Sequence, residues 1–386
     1  MRPRPSLFFL PSRSAERTSE GRSRTRAREE ASAQAAELYD SAARAAARTV
    51  IKRYSSSFSL ASSVLPRAVR THIEAVYAVV RVADEIVDGA WPEAPAAQVR
   101  AELDAFEERI AHAAETGFSS DLIAHAFART ARRTGISAAQ WSPFFASMRV
   151  DAPSTEAVDP GPAAPAFPAA AEPVPEPQPA PLPAPDLSAY IHGSAEVVGE
   201  MCVLAFFDGA PLPPDAEQTL MPGARALGSA FQKVNFLRDL AHDSEGLSRS
   251  YLTSPGRAAA EFTEEAKHRL VEEIFTELAT ASEAVDLLPP PVRPAVWTAY
   301  GIFGELTHRL AGTPVDGILA RRVRVPGPVK LRYAARATAG RPVRTWPSTP
   351  VRCTTTPSGH DPEHRDSDRH GSERHGPEAV DSSPRP

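Results

Sequence analysis

Between Pro160 and Pro185, eleven of twenty-six residues are proline, interleaved mostly with alanine. Proline fixes its own φ and lacks an amide donor. The stretch is therefore expected to run extended, as a semi-rigid polyproline segment, and to join no helix or strand. It splits the chain into two flanks that share one pattern. Alanine-rich stretches with apolar residues three and four apart recur at 36–53, 66–89, 98–115, 119–134, 187–207, 223–243, 264–284 and 290–311. Pro66 suits the first turn of its helix and Gly89 the position just past its end. Alternating β-branched runs bounded by turn residues are nearly absent. These observations predict an all-α fold: one helical domain over 35–335, with 152–185 as a Pro/Ala-rich inserted loop.

The two ends read differently. Residues 1–34 carry eight arginines, many serines and few acids, as an organelle transit peptide does. A disordered Arg/Ser-rich leader, or a start assigned too early, is the preferred reading. Residues 336–386 are polar and rich in Pro, Ser, Arg and Asp, with His360, His364, His370 and His375 among them. They are expected to form a solvated, disordered tail rather than a metal site.

Composition excludes several classes. No apolar run approaches the ~20 residues of a membrane-spanning helix. A net charge of −5 speaks against nucleic-acid partners. Two distant cysteines, Cys202 and Cys353, rule out a disulfide scaffold or a cysteine zinc site.

Two helices carry the chemistry. Tyr77, Arg81, Asp84 and Asp88 stand at offsets 0, 4, 7 and 11, within roughly 60° of one another on a helical wheel. Two carboxylates one turn apart can share a divalent cation, and Mg²⁺ is typically held by one or two carboxylates plus substrate phosphates. Taken alone, this helix favours the plainer reading of an amphipathic helix with a wet polar face. The second helix shifts the balance. Gln232, Asn235, Asp239 and Asp243 form a narrow polar seam flanked by Phe231, Phe236 and Leu240. A seam of that kind suits a buried polar cavity, and facing acid pairs require cations between them.

These stretches resemble the two signatures of the squalene/phytoene synthase family. Tyr77-Ala-Val-Val-Arg81-Val-Ala-Asp84-Glu85-Ile-Val-Asp88-Gly89 is similar to the first. Gln232-Lys-Val-Asn235-Phe-Leu-Arg238-Asp239-Leu-Ala-His-Asp243, with Arg249-Ser-Tyr251, is similar to the second. Ser55–Ser59 resembles the short Ser-Phe-Ser segment near the start of the domain. Tyr190 with Gly193–Gly199 resembles the small-residue helix, and Arg321–Val325 with Lys330-Leu331 the closing basic stretch. The resemblance covers most of 36–335.

It implies an isoprenoid synthase fold around a central cavity, and head-to-head joining of two prenyl diphosphates through a cyclopropyl diphosphate. By the same resemblance Asp84, Asp88, Asp239 and Asp243 are expected to hold Mg²⁺ (or Mn²⁺) with the diphosphates. Arg81, Arg238 and Arg249 would neutralise phosphate oxygens, with Tyr77 and Tyr251 nearby. Ser57 and Phe58 would lie beside the substrate, and Gln232 and Asn235 beside the intermediate. Tyr77, Arg81, Arg238 and Tyr251 are thus the catalytic candidates.

Departures from the family pattern are His242, where an acid is usual, the proline loop after Asp151, and Phe303, aligned with a tyrosine. The leading expectation is condensation of two geranylgeranyl diphosphates. Farnesyl diphosphate, giving squalene, dehydrosqualene or a hydroxylated squalene, is the rival substrate. NADPH is not expected. A cytoplasmic protein touching membranes peripherally is the expected setting. A non-catalytic scaffold that kept the fold is the rival from another class, and a chiefly interacting protein with an active core is a third reading.

Overall fold

The computed structural model describes residues 13–152, 187–246 and 262–346, with side chains described from Thr25 onward and, in the second stretch, as far as Leu240. The proline segment and residues 347–386 lie outside these. Among the described residues there is no strand. No helix is long and apolar enough to cross a membrane.

The chain opens with α1 (Arg13–Tyr54), followed by α2 (Ser56–Ser63) and α3 (Arg67–Asp84), which runs on through a π turn at Glu85–Gly89. Next come α4 (Ala96–Thr116), α5 (Leu122–Thr134) and α6 (Ala138–Asp151). After the proline segment, α7 (Leu187–Ile191) passes through a second π turn, His192–Glu196, into α8 (Val197–Phe206). Then follow α9 (Pro214–Gly246), α10 (Glu264–Val285), α11 (Arg293–Ala311), α12 (Val315–Ala320) and α13 (Gly327–Thr338).

Side-chain oxygens set several starts. Ser55 accepts the Phe58 amide at 3.1 Å and so begins α2. Thr263 accepts the Ala266 amide at 3.2 Å and begins α10. Each satisfies an amide that the first helical turn leaves without a partner.

Apolar stripes on these helices meet in two main clusters. One joins Val76, Val79, Leu103, Phe106, Phe127, Phe144, Phe145 and Met201, from α3, α4, α5, α6 and α8. The other joins Leu220, Val234, Leu237, Ile274, Leu278, Tyr300 and Leu310, from α9, α10 and α11. Glycines let α9 approach the α7–α8 unit closely. A β-carbon on Gly228 would stand 2.4 Å from the Ala195 carbonyl oxygen, and one on Gly199 would stand 2.3 Å from that of Ala224.

Two boundaries differ from the sequence reading. The leader expected to be disordered through residue 34 is helical from Arg13. No proline stands between Pro11 and Pro66, and the stretch is rich in Ala, Glu and Arg, which favour helix without any packing. Arg26 and Glu30 pair across one turn at 2.9 Å. All side chains from 25 to 38 are exposed, so no apolar stripe marked this part of the helix. At the other end the ordered body continues past 335. Residues 341–346 pack back on it: Tyr300 donates to the Arg344 carbonyl at 3.0 Å, Arg344 pairs with Asp286 at 2.6 Å, and Trp346 lies against Phe275 and Tyr333.

Candidate active site

A cavity of about 640 Å³ opens between the two apolar clusters, and its wall draws on both. Ten of the thirteen candidate site residues line it: Ser57, Phe58, Tyr77, Arg81, Asp84, Asp88, Gln232, Asn235, Arg238 and Asp239. Asp243 lies on α9, but its side chain is outside the described part, and Arg249 and Tyr251 are outside altogether.

The acid pair of α3 sits where the helix loosens. Asp84 is its last α-helical residue and Asp88 belongs to the π turn. Such turns occur often at functional sites. Arg81 reaches Asp84 at 3.4 Å and also pairs with Glu85, while its guanidinium rests 4.5 Å above the Tyr54 ring. The Asp84 side chain is 39 % accessible, yet it stands in a concave wall where protein displaces most of the bulk water. That desolvation pushes its carboxyl up to about 7; Asp88 and Glu85 add to the rise, and Arg81 opposes it. The wall is thus short of positive charge at Asp84.

Asp239, from α9, is held differently. Arg238 donates to it through Nε at 3.0 Å, and Arg322 reaches it at 2.8 Å. Arg322 falls in the basic stretch already noted, but no spacing rule ties it to α9. A third group is a pairing that the sequence did not show. Tyr190 donates to Asp151 at 2.7 Å, both buried at 6 % and 4 % exposure, and both line the cavity. Burial, then the neighbouring Asp151 charge, drives the tyrosine hydroxyl upward, with Asp84 and Asp88 contributing. The signal for Asp151 was weak, because thirty-eight residues, the proline segment among them, separate it from Tyr190.

Beyond the polar end the wall is aromatic and aliphatic. Phe231 and Phe303 stack at 3.8 Å, and Phe58 meets them at 5.9 and 5.3 Å and Tyr77 at 5.9 Å. Leu220, Gly223, Ala281, Ala284, Val285 and Leu288 also line the cavity.

The donors fit Mg²⁺. They are hard carboxylate oxygens, one or two per wall, and the α3 wall lacks compensating charge. Among the described residues no three acids, histidines or cysteines gather into one metal-sized group. Asp84 and Asp88 on one wall and Asp239 on another suit a cation that also takes oxygens from a bound diphosphate.

A hollow with an acid- and guanidinium-lined end and an apolar, aromatic body defines a class of protein. It takes ligands with a multiply charged anionic head and a long hydrocarbon. Comparison narrows the class. The sequence profile of the squalene/phytoene synthase family matches residues 51–328, and the chain belongs to this family, whose members are prenyltransferases.

A phytoene synthase of Arthrospira platensis is 24 % identical over 298 residues, covering 72 % of this chain and 87 % of its own length. A bifunctional lycopene cyclase/phytoene synthase of Gibberella fujikuroi is 27 % identical over 168 residues, 39 % of this chain. The present chain spans 28 % of that longer relative. Among solved structures, a dehydrosqualene synthase in complex with ligand superposes with a TM-score of 0.58 at 21 % identity, covering 79 % of this chain and 98 % of the other. Squalene synthase HpnC from Alicyclobacillus acidocaldarius gives 0.53 at 18 % identity, covering 71 % and 94 %. These two likenesses establish the all-α isoprenoid synthase fold.

Proposed function

We propose that this protein condenses two prenyl diphosphates head to head, with geranylgeranyl diphosphate as the first substrate to test. One observation carries the reading. Asp84 and Asp88 from α3 and its π turn and Asp239 from α9 open into the same cavity, and most of the remaining wall is apolar or aromatic. The Arthrospira platensis relative, a phytoene synthase matched over most of its length, supports the geranylgeranyl choice. Farnesyl diphosphate is the second arm of the test.

The chain's own groups divide the work. Asp84, Asp88 and Asp239, with Asp243 by family resemblance, would hold Mg²⁺, which stabilises as a Lewis acid the charge that develops on departing pyrophosphate. Arg81, Arg238 and Arg322 offer planar forks to phosphate oxygens. Phe58, Phe231, Phe303 and Tyr77 surround the hydrocarbon where positive charge forms, and an aromatic face attracts a cation. Tyr190, oriented by Asp151, keeps its hydroxyl protonated beside the acids. The buried wall excludes water from most of the path, which protects a reactive cation.

The test is turnover of geranylgeranyl and farnesyl diphosphate by purified protein with Mg²⁺, with and without NADPH. A product of doubled carbon number with release of pyrophosphate is expected. Folded protein that converts neither substrate supports the scaffold alternative instead.

A further inference from the structure

Helix α2 does not hold its place in the wall by its own sequence. Eight residues, five of them serine, are too few and too poor in helix formers to persist alone. Yet Ser57, Phe58, Ala61 and Ser62 on this helix, and Leu65 just past it, all line the cavity. The Phe58 ring meets rings from three other helices: Tyr77 on α3, Phe231 on α9 and Phe303 on α11.

Both ends of α2 are fixed from outside it. At the start Ser55 caps the Phe58 amide, and Lys330 of α13 donates to Ser56 Oγ at 2.8 Å. At the other end the chain turns into Pro66, which has no amide hydrogen, and the closing carbonyls lack helical partners. Arg70, in the first turn of α3, takes them up. Its Nε donates to the Ser62 carbonyl at 3.1 Å, and its Nη2 donates to those of Ser63 at 2.6 Å and Leu65 at 2.7 Å. The positive fork also faces the negative end of the α2 dipole. Arg70 is half-buried and does not line the cavity. One turn further along α3, the buried Glu74 carboxylate reaches Arg48 of α1 at 3.8 Å. Burial pushes the Glu74 carboxyl up, and Arg48 and then Arg70 oppose the rise. The clamp is thus anchored in the α1–α3 body, away from the ligand-facing side.

We infer that Arg70 is a positioning residue: gripping the end of α2 from outside the cavity, it sets where Phe58 stands against the reacting hydrocarbon. The inference rests on the condensation proposed above, in which Phe58 faces the developing positive charge. Phe58 lies five residues, about 7.5 Å along the helix axis, from Ser63. Releasing the three carbonyls lets α2 fray from that end toward the ring. A displacement of about 1 Å at a group that meets the transition state costs up to about 10²-fold in rate. The acids and guanidiniums of α3 and α9 do not depend on α2, so binding of the diphosphate head is left as it was.

The experiment places Arg70→Met, which keeps an unbranched stem and loses every donor, in a double-mutant cycle with Phe58→Leu. Arg70→Met alone should lower kcat by about tenfold or more and move KM by less than about twofold. In the Phe58→Leu background the same substitution should cost less than about twofold, because the ring it acts through is gone. Equal losses in the two backgrounds would overturn the inference and make Arg70 a brace of the fold. Hydrogen exchange over residues 55–65 gives a readout that needs no turnover. Exchange there should quicken in Arg70→Met, and unchanged protection would overturn the inference whatever the activity. Should Arg70→Met not fold, Arg70→Lys, which keeps the charge but loses the fork, carries the same two measurements. Wild-type protein that makes no doubled product would overturn the condensation and the role of Phe58 with it, while faster exchange would still show Arg70 holding α2.

Discussion

Gly228→Ala tests the packing that shapes the cavity. The new β-carbon would stand 2.4 Å from the Ala195 carbonyl oxygen, against about 3.3 Å for an ordinary close carbon–oxygen contact. Helix α9 and the π turn must then part by about 0.9 Å. Neither side is a flexible side chain, so the strain falls on two helix backbones. Overpacking of this kind costs about 1–3 kcal/mol. Alanine's higher helix propensity returns about 1 kcal/mol, leaving a net loss of roughly 0–2 kcal/mol. For a domain of this size that corresponds to a fall of up to about 6 °C in Tm. Gly327→Ala is the control: it sits at the start of α13 with nothing within 4 Å of the added carbon. Thermal circular dichroism should show Gly228→Ala melting below wild type and Gly327→Ala at or above it. Turnover should also fall in Gly228→Ala, because Phe231 and Gln232 ride on the displaced helix. A Gly228→Ala protein that melts at or above the control would refute the close-contact reasoning.

Other outcomes follow from the same structure. Asp84→Asn and Asp239→Asn should each cut turnover by about 10²-fold or more, as loss of a transition-state contact does, with the helical circular dichroism unchanged; turnover within threefold of wild type in both would remove the metal assignment. Trp346→Ala should cost about 2 kcal/mol, less than a fully buried tryptophan, and lower Tm by about 4 °C; an unchanged melt would show that residues 341–346 do not brace α10 and α11. A pH effect centres on His72, which lies 3.1 Å from both Thr130 Oγ1 and Asp208 Oδ1, with Arg133 also on Asp208 at 3.0 Å. Burial holds the His72 pKa below its ordinary value, and Arg133 adds to this while Asp208 opposes it. The native state therefore binds fewer protons than the unfolded chain below about pH 6.5, and stability drops as pH falls from there. His72→Asn should flatten the dependence of Tm on pH between 6.5 and 5; an unaltered slope would assign that dependence to other groups.

The long amphipathic helices were legible because their apolar spacing is driven by burial. Stretches 66–89 and 187–207 were drawn within a residue or two of α3 and α7–α8. Helix α6 was missed although Trp141, Phe144, Phe145 and Met148 have helical spacing and are all buried. Pro143 inside it works against a helix assignment, and only packing overrides that preference. Serine-rich α2 was missed as well, since five of its eight residues are serine and no apolar stripe marks it. Wheel geometry grouped Asp84, Asp88 and Asp239 as seam residues and all three line the cavity, while the Asp243 side chain lies outside the described residues. The π turns were not: nothing in Glu85–Gly89 or His192–Glu196 signals a looser spiral. Both occur where a wall opens into the cavity. Asp151 and Tyr190 meet only through the tertiary fold.

The two acid walls are unequal, and the inequality bears on how a substrate is received. Asp239 already has two guanidinium partners, whereas Asp84 shares Arg81 with Glu85 and its carboxyl is pushed up to about 7 by desolvation. A diphosphate arriving with Mg²⁺ meets little resistance at the α3 wall, where added positive charge relieves like-charge repulsion. At the α9 wall the same arrival must displace Arg238 and Arg322 from Asp239. Those guanidiniums are then released beside the phosphate oxygens they match in shape. On the proposed reading the first wall therefore captures the ion and the second exchanges partners around it. Arg322→Lys, which keeps the charge but loses the fork, should then raise KM for the diphosphate more than it lowers the melting temperature. An equal loss in both would reduce Arg322 to a brace for Asp239.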